Sequence, residues 1–152
     1  SQTEGCVFDA ETGTLFVGEE ERGIWAVELG SQRRKLVDST GAGRLTADVE
    51  GLDIYDDGLR RLLLASSQGD NSFVVYDLES LEPLLRFRIA ADTQGRIDGV
   101  SETDGIAVTS IPLQDFDRGI LVVQDGYNFD NDSLVNQNFK IVPFDLVLDI
   151  LD

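Results

Sequence analysis

A three-part pattern recurs along the chain, and this repeat constrains the fold more than any other feature of the sequence. Each copy opens with an acidic residue and a glycine, continues into an apolar strand that ends in polar residues, and closes with a second apolar strand. The acid–glycine pairs are Glu4-Gly5, Glu50-Gly51 and Asp104-Gly105. Their spacing of about 50 residues, with several strands in each unit, is typical of the blades of a β-propeller.

Short β-rich runs separated by Gly, Asp, Asn and Ser predict an antiparallel, all-β protein. The runs cover residues 5–9, 14–19, 23–29, 33–38, 50–55, 60–67, 72–78, 84–90, 104–109, 119–124 and 138–142. We therefore predict a partial β-propeller domain over residues 1–152, with about two and a half to three four-stranded antiparallel blades. The blades should lie at about 4–39, 50–91 and 104–142, followed by a helical turn over 143–151 with Pro143 at its first position. A β-sandwich is the alternative fold, and the in-phase repeat counts against it.

The chain is strongly acidic, with 29 Asp and Glu residues, 12 Lys and Arg residues and a formal net charge of −17. Such a surface repels nucleic-acid phosphates and anionic lipid headgroups, so we expect no nucleic acid and no membrane as partners. Acidity of this kind often serves only solubility. Clustered carboxylates also bind hard cations such as calcium, which take oxygen ligands.

Missing residue types exclude several hydrolase classes. The chain has no histidine, which rules out a Ser-His-Asp triad and histidine-based zinc or phosphatase chemistry. The single cysteine, Cys6, is not followed by the arginine of a cysteine-phosphatase loop, because Thr12 stands there. We expect Cys6 to be a small core residue. Ser66 and Ser67 have no evident base nearby and are interpreted as strand-end residues.

The acids of the repeat should converge at one end of the blades. In an antiparallel blade the start of the first strand lies beside the end of the second, and first strands line the channel of a propeller. The polar residues at these positions are Glu4, Glu19, Glu20, Asp48, Glu50, Gln68, Asp104, Gln124, Asp125 and Asn128. Carboxylates this close repel one another unless cations lie between them, so the pattern predicts a calcium cluster at the channel mouth.

Two other interpretations of the acids were weighed. A single acid–glycine pair can be ordinary turn chemistry, although three pairs in phase are harder to explain in that way. The segment 128–132 has oxygens at alternate positions, as an EF-hand loop does, but Ser133 replaces the required glycine and Phe139 the final glutamate. We therefore interpret Asp130 and Asp132 as solvated loop residues.

Several longer strings resemble one family. They are EGCVFDAETGTLFVGEEERGIW from residue 4, DVEGLDIY from 48, LLASSQGDNSFVVY from 63, DGVSETDGIAV from 98 and VVQDGYNFDNDSLVNQNFKIVPF from 122. In order and spacing they resemble the C-terminal half of the β-propeller phytases, the bacterial 3-phytases. The resemblance implies a six-bladed ring whose channel mouth is lined by several calcium ions.

The resemblance also implies roles for individual residues. The calcium and active-site ligands that it implies are Glu4, Glu20, Asp48, Glu50, Gln68, Asp98 and Asp104, with Asp125 and Asn128 as further metal ligands. All of these except Asp104, Asp125 and Asn128 are also candidate catalytic residues. From its residue type, Lys140 is a candidate for contact with a substrate phosphate, with a solvated surface charge as the more common alternative. Two departures bear on one calcium site: Glu102 stands where family members often have Asp, and Arg96-Ile97-Asp98 replaces a more acidic stretch.

The function that the resemblance implies is calcium-dependent hydrolysis of phosphomonoesters in phytate (inositol hexakisphosphate) or other inositol phosphates. Calcium would bridge carboxylates to phosphates and activate the attacking water. One alternative is a non-catalytic, calcium-stabilised propeller module that assists substrate binding. Another is a propeller that binds protein or sugar, since a fold alone does not fix a function.

The basic residues that hold phosphates in this family belong to earlier blades, which these 152 residues do not include. We expect missing N-terminal blades, or a second copy of the chain, to close the ring. We do not expect residues 1–152 alone to be an effective phytase. An environmental substrate implies a secreted or periplasmic protein, although Ser1-Gln2-Thr3 shows no sign of a signal peptide.

Overall fold

The computed structural model describes residues 1–152 and consists almost entirely of antiparallel β-sheets. Sheet 1 contains β1 (Thr3–Asp9), β2 (Thr14–Glu19), β3 (Gly23–Glu28) and β4 (Arg34–Ser39). Sheet 2 contains β5 (Val49–Asp56), β6 (Arg61–Ser67), β7 (Ser72–Asp77) and β8 (Pro83–Phe87), with a short 3-10 helix, Gln68–Asp70, between β6 and β7. In both sheets the strands lie side by side in chain order, which is the topology of a propeller blade.

Sheet 3 has three strands in the order β13-β10-β9, formed by β9 (Ile106–Thr109), β10 (Ile120–Asp125) and β13 (Asn138–Pro143). It lacks a fourth, outer strand. A small hairpin of β11 (Phe129–Asp130) and β12 (Ser133–Leu134) interrupts the connection from β10 to β13. Its turn residues Asn131 and Asp132 have positive φ angles, which suits the tight turns that close hairpins.

The chain ends in a helix, α1 (Asp145–Leu151), which begins two residues later than the sequence pattern suggested. Pro143 does not start this helix, because it pairs with Ile120 as the last residue of β13. Val147 and Leu148 of the helix are buried, and the ring of Phe144 stacks on that of Tyr55 with centroids 4.2 Å apart. The helix therefore closes one end of the core between sheets 2 and 3.

Sheet 2 is buried on both faces. Leu63, Ala65 and Val74 pack in the core between sheets 1 and 2, while Leu64, Phe73 and Val75 pack in the core between sheets 2 and 3. Residues 62–67 of β6 are buried without interruption, so this strand shows an apolar run rather than alternation. Fully burying one such Leu or Phe side chain contributes roughly 1.5–3 kcal/mol.

The outer faces of sheets 1 and 3 are exposed, and several apolar side chains lie on them. Phe8 lies on the outer face of sheet 1, and Phe139 and Ile141 lie on that of sheet 3. Cys6 is also exposed, so the expectation of a core cysteine was wrong. The reason is strand alternation: Val7 packs against the core between sheets 1 and 2, and its neighbour Cys6 points the opposite way. No helix is long and apolar enough to span a membrane.

Candidate metal centre

The first strands of the three sheets, β1, β5 and β9, lie next to one another, and their N-terminal ends form one end of the molecule. The regular pairing of β1 with β2 is interrupted between Thr3 and Cys6, and that of β5 with β6 between Val49 and Leu52. Each irregularity therefore falls at an acid–glycine pair of the repeat. Such bulges change the direction in which side chains at strand ends point.

Three carboxylates meet at this end of the molecule. One carboxylate oxygen from each of Glu20, Asp48 and Glu50 lies within 4.8 Å of the other two. Glu20 follows β2, Asp48 precedes β5, and Glu50 is the second residue of β5. The backbone brings these elements together, because Val49 N–H donates to the carbonyl of Glu20 (3.2 Å) and Gln68 N–H donates to that of Asp48 (2.9 Å).

Glu50 is the buried member of the cluster, with 9% of its surface exposed. Burial is the main reason that its pKa rises to about 7, and the charges of Glu4, Asp104, Glu20 and Asp48 raise it further. These four neighbours and Glu50, which we call the mouth acids, are therefore close enough to repel one another. They come from the start of β1, the end of β2, the start of β5 and the segment that leads into β9.

None of the ion pairs in the structure involves a mouth acid. The polar contacts that they receive come from amides. Gln68 Nε2 donates to Asp104 Oδ1 (2.6 Å), and Gln2 Nε2 donates to Glu4 and to Glu20 Oε1, the latter at 3.5 Å. An amide does not neutralise a carboxylate, so the negative charge of the cluster is uncompensated by the protein itself.

The donor set fits a hard divalent cation. Calcium takes carboxylate oxygens at about 2.3–2.6 Å, so two oxygens on opposite sides of one ion lie roughly 5 Å apart. The separation of at most 4.8 Å among the oxygens of Glu20, Asp48 and Glu50 is compatible with that geometry. The absence of thiolate and imidazole donors at the cluster disfavours zinc.

Neighbouring Glu19 does not join the cluster. Its Oε2 accepts a hydrogen bond from Trp25 Nε1 (2.8 Å), which lowers its pKa, and its Oε1 pairs with the N-terminal ammonium of Ser1 and with Arg22. Of the Glu19-Glu20 pair, only Glu20 therefore contributes to the cluster. The position of the pair in the repeat did not separate the two, whereas the family resemblance implied Glu20.

Other predicted site residues lie in a second group beside sheet 3. Asp98 and Asp125 both accept hydrogen bonds from the ammonium of Lys140, and Asn128 Nδ2 donates to the carbonyl of Asn136 (2.8 Å). Burial alone would raise the pKa of Asp98, but hydrogen bonds from Lys140 and from Phe129 N–H hold it below its usual range. The metal-ligand roles of Asp98, Asp125 and Asn128, and the substrate contact of Lys140, stay predictions.

Sequence reasoning did not single out two residues that support these groups. Gln2 donates to two mouth acids, and Asn71 Oδ1 accepts the N–H of Glu102 (2.8 Å). Asn71 has a φ of 57°, a conformation that Asn adopts more readily than most residues. Ser66 and Ser67 have structural roles, since Ser66 Oγ accepts from Gly51 N–H (2.8 Å) and Ser67 Oγ from Thr46 N–H (2.7 Å).

A cleft of about 1120 Å³ lies at the other end of sheets 1 and 2. It is lined by the turns that follow β1, β3 and β5. Its basic residues are largely engaged: Arg61 pairs with Asp9, Glu11 and Asp56, and Arg33 pairs with Glu28. Arg34 and Lys35 also line the cleft and take part in no ion pair, and the Arg34 guanidinium lies over the ring of Trp25, 5.4 Å from its centroid.

The fold and the acidic cluster define the class of protein: an all-β propeller unit with a carboxylate-lined channel mouth. A sequence model of the phytase family matches residues 1–152, and the chain belongs to that family. It is 42% identical over 153 residues to the 3-phytase of Bacillus subtilis (strain 168), an alignment that covers 97% of this chain and 40% of the relative. The chain thus spans about two fifths of the length of that relative.

A solved structure supports the fold independently. The β-propeller domain of Cps50 (Swd1) from Myceliophteria thermophila superimposes with a TM-score of 0.53 over 94% of this chain and 39% of that one. The sequence identity is 11%, so this likeness bears on the fold alone. Together with the blade topology, it confirms the predicted all-β propeller architecture.

Proposed function

We propose that this protein is part of a calcium-dependent phytase that removes phosphate from phytate or a related inositol phosphate. Membership of the phytase family supports the reaction. The observation that supports a metal is the group of mouth acids, which converge without any cationic partner. Burial is the main reason that the pKa of Glu50 rises to about 7, and the charges of the other mouth acids raise it further. A cluster of this kind is most stable with bound cations, and its oxygen donors favour calcium.

The chain's own residues then have distinct tasks. Glu20, Asp48 and Glu50 would hold the metal, and Glu4, Asp104 and Gln68 would complete the wall of the mouth. Glu50 has a pKa of about 7, so its carboxyl would have to lose its proton before it could bind a cation. When bound, calcium supplies the positive charge that attracts phosphate oxygens and lowers the pKa of water.

No side chain at the mouth is placed as a covalent nucleophile. The hydroxyls of Ser66 and Ser67 are buried and hydrogen-bonded to backbone N–H groups, and the chain contains no histidine that could act as their base. Direct attack of water on phosphorus therefore fits these residues better than a phosphoryl-enzyme intermediate. An environmental substrate also favours a secreted or periplasmic location.

A second candidate function is a calcium-stabilised module that binds phosphate-rich substrate without turning it over. It is favoured by the absence of free basic residues at the mouth: Lys140 is buried against carboxylates, and Arg86 and Arg88 pair with Asp70. In this case the basic groups that hold phosphates would have to come from other blades or from a second copy.

Phosphate release from phytate separates the two functions. Because residues 1–152 alone are not expected to turn over phytate, the assay uses the propeller completed by its remaining blades, with calcium, with magnesium and with excess chelator, and calcium binding is measured on the same samples. The phytase proposal predicts turnover that depends on calcium and is lost in Glu20→Gln. Calcium binding without turnover would support the module, and the absence of calcium binding would refute both.

A further inference from the structure

Beside the mouth acids, the ammonium of Lys140 is enclosed by the protein. Lys140 lies on β13 with 8% of its surface exposed. Its Nζ donates to Asp98, to Asp125 and to the carbonyl of Gly99, the last at 2.8 Å. An ammonium has three N–H donors, so these three acceptors use them all. None remains for a phosphate in this arrangement.

The partners of Lys140 belong to, or hold, a segment without regular secondary structure that we call loop 98–104. It lies between sheets 2 and 3 and leads into β9. Asp125 uses its second oxygen to accept the N–H of Ser101 (3.0 Å), and Gly126 N–H donates to the carbonyl of Ser101 (2.8 Å). Lys140 therefore contacts the start of the loop directly and its middle through Asp125.

The far end of loop 98–104 carries a mouth acid. Asp104 N–H donates to Gln124 Oε1 (2.9 Å). The carboxylate of Asp104 accepts a hydrogen bond from Gln68, and its negative charge contributes to the raised pKa of Glu50. Gln124 and Asp125 are neighbours at the end of β10, opposite Phe139 and Asn138 of β13. One strand end thus holds both the middle of the loop and its acidic end.

We infer that Lys140 is a positioning residue whose buried ammonium, held between Asp98 and Asp125, fixes loop 98–104 so that Asp104 reaches the mouth. A cation is needed there because a buried carboxylate, Asp125, and a half-buried one, Asp98, lie side by side, which is costly without a counter-charge. Lysine supplies a cation within the chain for both carboxylates. The part of this inference that concerns calcium rests on the proposed function, whereas the part that concerns the loop does not.

The first test is amide hydrogen exchange of the metal-free protein, comparing wild type with Lys140→Met. We expect the amides of Ser101 and Asp104 to exchange at least about tenfold faster in the variant, because their acceptors, Asp125 and Gln124, are no longer held in place. Amides in the middle of β6 and β7 should be unaffected. The control is Tyr76→Phe, which removes a buried hydrogen bond to Asp38 (2.8 Å) without touching the loop.

If Lys140→Met does not fold, the double variant Lys140→Gln with Asp125→Asn retains polar partners without leaving a lone buried charge. Loop amides that exchange at wild-type rates in either folded variant would overturn the inference. So would loop exchange that rises equally in Tyr76→Phe, because the effect would then be a general loss of stability.

The second test is calcium titration by calorimetry, well below the melting temperature of each variant. We expect about tenfold weaker binding in Lys140→Met and unchanged binding in Tyr76→Phe, since a misplaced Asp104 weakens the mouth. A wild-type protein that binds no calcium would refute the proposed function. The exchange result would still test whether Lys140 holds loop 98–104 in place. A rise in KM for phytate with unchanged exchange and unchanged calcium affinity would overturn the inference in favour of direct substrate contact.

Discussion

Gly5 lies against the main chain of Glu50, and a Cβ atom at Gly5 would be 1.9 Å from the Glu50 carbonyl oxygen. Gly51 has the same relationship to the next sheet, where a Cβ atom would be 2.7 Å from Ile106 N. Glycine thus allows the first strands of neighbouring sheets to approach closely. The same contact brings together the acids that precede these glycines. The repeated acid–glycine pair therefore allows the strands to pack closely and also places mouth acids next to one another.

This contact predicts that Gly5→Ala is strongly destabilising. The obstructing atoms belong to the main chain and cannot rotate away, so we expect a loss of about 2 kcal/mol or more in the free energy of unfolding. Gly105→Ala is the matched control, because nothing lies within 4 Å of a Cβ atom there, and it should change stability by less than about 0.5 kcal/mol. Urea denaturation measures both. Similar losses in the two variants would contradict the close approach.

Calcium should stabilise the native protein. The uncompensated mouth acids bind the ion only when the fold brings them together, so binding adds RT ln(1 + [L]/Kd) to the free energy of unfolding, or about 2.7 kcal/mol at 100 times Kd. Excess chelator should lower the melting temperature measured by calorimetry. Magnesium should substitute poorly, because it requires a tighter octahedral geometry. A melting curve that chelator leaves unchanged in a calcium-loaded sample would count against the metal centre.

Individual acids should differ in their effect on calcium binding. Glu20→Gln and Asp48→Asn each remove a charge from the three-carboxylate cluster, and we expect each to weaken calcium binding by about tenfold or more. Asp130→Asn removes a charge from the exposed β11–β12 hairpin and should leave binding unchanged. Calorimetric titration compares the three variants. Equal effects of all three would mean that binding responds to net charge rather than to this cluster.

The strands and their grouping into blades could be predicted from the sequence because those signals are local. Apolar runs bounded by Gly, Asp and Asn locate the strands, and the in-phase Glu4, Glu50 and Asp104 locate the mouth. The β11–β12 hairpin was not predicted, because strands of two residues leave no recognisable pattern.

Hydrogen bonds between side chains that are far apart along the chain could not be predicted from the sequence. Nothing in the Glu19-Glu20 pair indicates that Trp25 removes Glu19 from the cluster. Sequence reasoning gave Lys140 two interpretations, a substrate contact and a solvated surface charge, and it could not show that this side chain of β13 points inward to Asp98 and Asp125. That outcome depends on which face of β13 packs against sheet 2, and the pairing of β13 with β10 sets that face.

The raised pKa of Glu50 predicts how the stability of the metal-free protein depends on pH. Its carboxyl has a pKa of about 7 in the fold against 4.5 in the unfolded chain. The native state therefore binds this proton more tightly than the unfolded state does. The resulting contribution to stability is complete below about pH 4.5 and is lost as the pH rises through about 7.

We therefore expect the free energy of unfolding of chelator-treated wild type, measured relative to Glu50→Gln, to fall between about pH 5 and about pH 7.5. The variant provides the reference because it keeps the size of the side chain but has no carboxyl to titrate at this position. Saturating calcium should remove most of the fall, since the metal replaces the proton and binds more tightly as the pH rises. Urea denaturation at several pH values, with and without calcium, measures the effect. Parallel pH profiles for wild type and Glu50→Gln in chelator would show that the mouth acids do not raise the pKa of Glu50, and would remove the electrostatic argument for a cation at the mouth.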